Sequence, residues 1–142
     1  MAYDECESAL VTMLQTLTAQ FPTGAQVATD HAILDMGVTN AAVIIPGGIG
    51  TQPQNGPPYT RTWDILLRLF TQFIDEPTAL AAFKALRAAV ILKIDENPGL
   101  GGVSGVLNTI IASESDIYES GPTPIYLAQN FRVTVYQYLV VA

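Results

Sequence analysis

Between Arg61 and Phe73 the chain alternates, with Trp63, Ile65, Leu67, Leu69 and Phe73 on one side and Thr62, Asp64, Arg68 and Gln72 mostly on the other. Successive side chains of an extended chain point to opposite faces, so this pattern predicts a long strand with one strongly apolar face. Such a face has to be covered, and the segments around it indicate how.

Upstream, Leu10, Met13, Leu14, Leu17 and Phe21 recur at the spacing of one helical face, predicting a helix from Asp4 to Phe21. Asp4 is placed to cap it, with Glu7 returning the bond, and Pro22 and Gly24 end it. Gln26 to Val38 has no clean period and reads as irregular with a possible short strand. The β-branched run Ala41 to Ile45 suits a buried strand. The Gly-, Pro-, Gln- and Asn-rich stretch from Pro46 to Pro58 reads as a long exposed loop, a class that is usually functional or disordered.

Downstream, Asp75, Glu76 and Pro77 open a second helix whose stripe Leu80, Phe83, Leu86, Val90, Ile91 and Ile94 runs to Asn97, Pro98 and Gly99. The glycines from Gly99 to Gly105 predict a tight turn with unusual backbone angles into a strand over Val106 to Ala112. After a break at Gly121, Pro122 and Pro124, the stretch Tyr126 to Val141 is apolar on both faces, as befits a central strand or an edge covered by another subunit. The expected fold is α+β: one domain over residues 1–142, with a single mixed or antiparallel sheet and two main helices packed on one face.

The chain is 49% hydrophobic and only 13% charged, so little charge is available to cover its outside and some apolar surface is expected to meet a partner. No stretch approaches the ~20 apolar residues that span a bilayer, which predicts a soluble protein without a membrane partner. Asp4, Glu5 and Glu7 are the wrong charge for the start of a secretory signal. A net charge of −7, with basic residues scattered at Arg61, Arg68, Lys84, Arg87, Lys93 and Arg132, disfavours nucleic-acid phosphates as the binding target. Cys6 is the only cysteine, so an internal disulfide is excluded, a reducing compartment is the natural reading, and the thiol reads as an unreactive helix residue.

Candidate chemistry is thin. His31, the only histidine, lies near Asp30 and Asp35, but a lone histidine in an unpatterned segment reads as solvated or structurally bonded rather than catalytic. Zinc would want further histidine or cysteine ligands, and Glu114, Asp116 and Tyr118 do not complete a calcium loop. Neither Gly47, Gly48 and Gly50 nor Gly99, Gly101, Gly102 and Gly105 is followed by the lysine and hydroxyl of a nucleotide loop. No catalytic residue, metal or cofactor is therefore assigned, and an enzyme is not expected. Of the aromatics Tyr59, Trp63, Tyr126, Phe131, Tyr136 and Tyr138, most read as core or cross-strand packing, whereas Tyr136 and Tyr138 on one face of the last strand suit a subunit contact. The expected interface comprises Trp63, Arg68, Phe131, Arg132, Tyr136 and Tyr138, with Gly47, Gly48, Gln52, Gln54, Asn55 and Tyr59 forming a docking loop.

In the order of its features the chain resembles the tail terminator or tail-completion proteins of long-tailed bacteriophages. The features are a capped N-terminal helix, the long strand bearing Trp63 to Phe73 and a helix ending near Asp95. Asn97, Pro98, Gly99, Leu100, Gly101 and Gly102 then precede a strand, and a proline-containing break leads to the alternating terminal strand Phe131 to Val141. The resemblance covers about two thirds of the chain, no single residue in it is diagnostic, and neighbouring head–tail connector families look similar. It implies a virion protein, assembled in the bacterial cytoplasm, that closes into a ring, expected to be hexameric. That ring would cap the tail tube, contact tube and connector proteins, and let DNA pass through its lumen. The Pro46 to Pro58 loop has no counterpart in the pattern. The alternatives are a connector or stopper of the phage neck and, from another class, a small-ligand or peptide-binding module with that loop over an apolar pocket.

Overall fold

The computed structural model describes residues 2–22, 26–29, 39–45, 59–73, 75–120 and 125–139. In chain order the elements are α1 (Ala2–Gln15), β1 (Val27–Ala28), β2 (Asn40–Ile45), β3 (Tyr59–Gln72), α2 (Glu76–Asp95), β4 (Val106–Ser113), β5 (Tyr118–Ser120) and β6 (Tyr126–Leu139). The fold is α+β, and all the strands belong to one six-stranded sheet in the order β1-β2-β3-β6-β4, with β5 also on β6. The sheet is mixed because β1 runs parallel to β2, while the other pairs are antiparallel.

The two alternating segments, β3 and β6, pair along their whole lengths, from Tyr59 opposite Leu139 to Gln72 opposite Tyr126. This register sets Trp63 beside Val135, Ile65 beside Val133 and Leu67 beside Phe131, so the apolar parities of both strands fall on one face. A one-residue slip would turn every one of them over, which is why burial of that face specifies the register. On that face they join Leu10 and Leu14 of α1 and Phe83, Leu86 and Val90 of α2 in the main core. A second cluster, Ala41, Val43, Phe70, Tyr126 and Ala128, occupies the opposite face, where Phe70 and Tyr126 meet edge to face at 6.0 Å and 82°. Residues of β6 are therefore buried on both faces, and its position between β3 on one side and β4 and β5 on the other makes it an interior strand.

Helix α2 begins as expected: Asp75 is its N-cap, accepting from the Thr78 N–H at 3.0 Å, with Pro77 in the first turn. Helix α1 differs at both ends. It starts at Ala2, which places Asp4 inside the first turn rather than at the cap, and it stops at Gln15, short of Phe21. The early stop has a local cause. The Thr16 hydroxyl donates to the Met13 carbonyl at 2.6 Å, Leu17 N–H bonds Leu14 at 3.0 Å, and Phe21 N–H returns to Leu17 at 2.8 Å. Side-chain hydroxyls that take helix carbonyls compete with continuation of the helix, and the resulting tight turns still deliver Phe21 to the core.

Of the ambiguous segment after α1, residues 26–29 are described and contribute β1, and β5 is a strand that the sequence pattern did not indicate. Between α2 and β4 the glycine-rich turn takes positive φ at Leu100 (53°), Gly101 (73°), Gly102 (105°) and Gly105 (79°). Gly105 accepts the Tyr138 N–H at 2.7 Å, and a Cβ there would collide with the Tyr138 carbonyl oxygen, so this position requires glycine on two counts.

Candidate interaction surface

Strand parity sorts the expected contact residues into two groups. Trp63 and Phe131 share the parity of Ile65, Leu67, Val133 and Val135 and lie on the helix side, 6% and 2% exposed. They belong to the core rather than to an outer surface, a correction that was available from the alternation itself. Arg68, Arg132, Tyr136 and Tyr138 have the other parity and lie on the face away from the helices. Arg68, opposite Val43 and Asn130, is half-buried there. Gly47, Gly48, Gln52, Gln54 and Asn55 lie outside the described residues, as does His31, while Tyr59 is the first residue of β3.

On the outer face, Thr62, Asp64 and Leu66 of β3 run beside Tyr136, Thr134 and Arg132 of β6. The Thr134 hydroxyl donates to Asp64 Oδ1 at 3.1 Å, and Arg132 Nε donates to Glu114 Oε1 at 2.8 Å. Tyr136 is half-buried and Tyr138 is 40% exposed. Strand β4 continues this face with Asn108, Ile110 and Ala112, all exposed. The surface therefore mixes tyrosine, aliphatic and hydroxyl side chains around the Arg132–Glu114 ion pair.

Sequence reasoning did not find Leu107 and Ile110. They are 60% and 46% exposed because Ile110 lies on the face away from the helices and Leu107 sits at the register shift between β4 and β6. An apolar residue in a short strand reads alike whether its face is covered or open, so only the register and the helix packing reveal them.

The buried polar groups are used by the fold. Asn40 donates to the Gln20 carbonyl at 3.1 Å and accepts from the Thr71 hydroxyl at 3.0 Å, tying the turn after α1 to β2 and β3. Arg87 of α2 donates to Gln129 Oε1 at 3.1 Å, and Gln129 donates onward to the Ser115 carbonyl at 2.8 Å. Among the described residues no buried side-chain nitrogen or oxygen lacks a partner, and no three metal-ligating side chains converge. Cys6 is fully buried on α1, and burial, reinforced by Glu5, pushes its thiol up to about 11, leaving it protonated and unreactive at neutral pH.

A groove of about 480 Å³ lies between α1 and the turn that follows α2, lined by Ala9, Met13, Lys93, Asn97, Leu100 and Val103 among others. It offers one cation and no carboxylate, so it has the makings of a binding groove and not of an acid–base pair. No helix among the described residues is long and apolar enough to cross a membrane. No protein-family model and no curated protein matches the chain.

Proposed function

We propose that this chain is a structural virion protein that forms a ring at the head-proximal end of a phage tail, ending tube polymerisation and joining tail to head. The reading starts from the order of features shared with tail terminators. The observation that carries it is the outer sheet face, where Tyr136, Tyr138, Arg132 and Ile110 lie together with α1 and α2 both on the opposite side. A chain with 13% charged residues gains from burying such a face against its own copies, and a closed ring satisfies every subunit alike. The net charge of −7 per subunit fits a lumen that DNA passes through without being held.

Electron microscopy of particles assembled without the protein tests this role. Overlong tails are expected for a terminator. Normal free tails beside heads that leak DNA would assign it instead to the connector or stopper of the neck, and normal tails on filled heads would rule out both.

The groove between α1 and the turn after α2 supports a second reading, a small-ligand module, because its volume lies in the range of such sites. That reading requires a thermal stabilisation by ligand which a Met13→Arg substitution, filling the groove, abolishes.

A further inference from the structure

Strand β4 is a long edge, and its composition is unusual for one. Among the described residues it pairs with β6 alone. Soluble proteins blunt such edges with lysine, proline, inward charges or very short strands, since unpaired N–H and C=O groups template the addition of another strand. The eight residues Val106–Ser113 contain no charge and no proline, and expose Leu107 and Ile110. The other edge strands, β1 and β5, have two and three residues, and β5 includes Glu119.

The ladder shows which backbone groups point outward. Glu114 N–H donates to the Asn130 carbonyl at 2.8 Å, so 114 opposite 130 is a hydrogen-bonded pair. Antiparallel ladders alternate, and in the register that sets Ala112 on Arg132 and Ile110 on Thr134, the even positions of β4 bond to β6. The N–H and C=O groups of Thr109, Ile111 and Ser113 therefore face away from the sheet. The Thr109 N–H is satisfied locally by Asn108 Oδ1 at 2.9 Å, which leaves the donors of Ile111 and Ser113 turned outward.

We infer that β4 pairs antiparallel with β4 of a second copy about a two-fold axis at Ile111. This register uses the outward groups: Ile111 N–H bonds the partner's Ile111 carbonyl, and Ser113 N–H bonds the partner's Thr109 carbonyl, each twice by symmetry. Ile110 comes to lie opposite the partner's Ala112, which covers part of its exposed surface. The outward donors and acceptors of this strand match their own copy in that register, and the uncharged strand lets two copies meet there. Two chains of net −7 repel wherever their acids meet, and here no charge faces another, because Glu114 falls opposite Asn108 and is already paired with Arg132. Such a pair is isologous and closes at two copies, so it is distinct from the head-to-tail contacts of a ring and does not depend on that reading.

Sedimentation of the purified full chain, alone, tests the pairing with two substitutions. Ser113→Pro removes a donor that bonds nothing among the described residues, at a position where an edge strand accepts proline. Ile110→Lys brings one cation from each copy near the two-fold axis. A wild-type dimer is expected, with each variant sedimenting at half its mass and keeping the wild-type circular dichroism and melting temperature. A wild-type monomer, an assembly of any other number of copies, or a dimer that survives both substitutions would overturn the inference. Ile110 also lies on the face assigned to the ring, whereas Ser113 has the opposite parity, so loss of the dimer in Ser113→Pro tests the pairing separately from the ring contact.

Discussion

Gln137 on β6 accepts the indole N–H of Trp63 at 2.9 Å and donates its own amide to the Ser104 carbonyl at 2.8 Å, so one buried side chain joins β3, β6 and the turn that launches β4. The Cys6 thiol of α1 points to the same oxygen at 3.9 Å. A polar group 2% exposed is tolerated in this apolar setting because its hydrogen-bonding capacity is used.

Replacing Gln137 by Leu keeps the volume roughly constant and removes both bonds. Leaving a buried donor or acceptor unsatisfied costs about 1–3 kcal/mol, so urea unfolding should show a loss of at least that size. A variant as stable as the wild type would mean that neither bond contributes.

Two glycines of one turn should respond differently to alanine. At Gly101 a Cβ meets open space and bears only the left-handed backbone cost, about 1–2 kcal/mol. At Gly105 the same backbone cost is joined by collision with the Tyr138 carbonyl, where β4 leaves the turn. Thermal melts should rank Gly105→Ala well below Gly101→Ala, and equal melting temperatures would contradict the geometry.

Asp75→Ala removes the acceptor of the Thr78 N–H at the start of α2. Loss of a helix N-cap costs about 0.5–2 kcal/mol, and Asp75→Asn should recover most of it. Chemical denaturation of the three proteins gives the comparison.

The Cys6 thiol has a folded-state value of about 11 against an ordinary 9.0. The folded state thus holds this proton more tightly than the unfolded chain does. The resulting stability is fully present below pH 9 and is lost as pH rises towards 11. Unfolding curves across that interval should fall more steeply for the wild type than for Cys6→Ala, in which the other titrating groups are unchanged. Native protein at pH 8 should react with a thiol reagent only after denaturant is added.

Much of this architecture is written in local periodicity. Alternation at Trp63, Ile65, Leu67 and Leu69 specified β3 and its buried face, the stripe from Leu80 to Ile94 specified α2, and the glycines after Gly99 marked a turn that does take positive φ. Parity also held the information that Trp63 and Phe131 are core residues while Tyr136 and Tyr138 face outward. These properties survive in a single sequence because side-chain direction repeats along the covalent chain every two residues in a strand and every 3.6 in a helix.

Strand order was decided elsewhere. That β6 lies between β3 and β4, that β1 adds beside β2 and that β5 exists at all depend on pairings between segments far apart in the chain. Such pairings are chosen by which apolar faces bury each other best, a comparison no local window contains. The same holds for the exposure of Leu107 and Ile110: their identity is a matter of sequence, but only the register of β4 on β6, and the packing of both helices on the other face, leave them exposed.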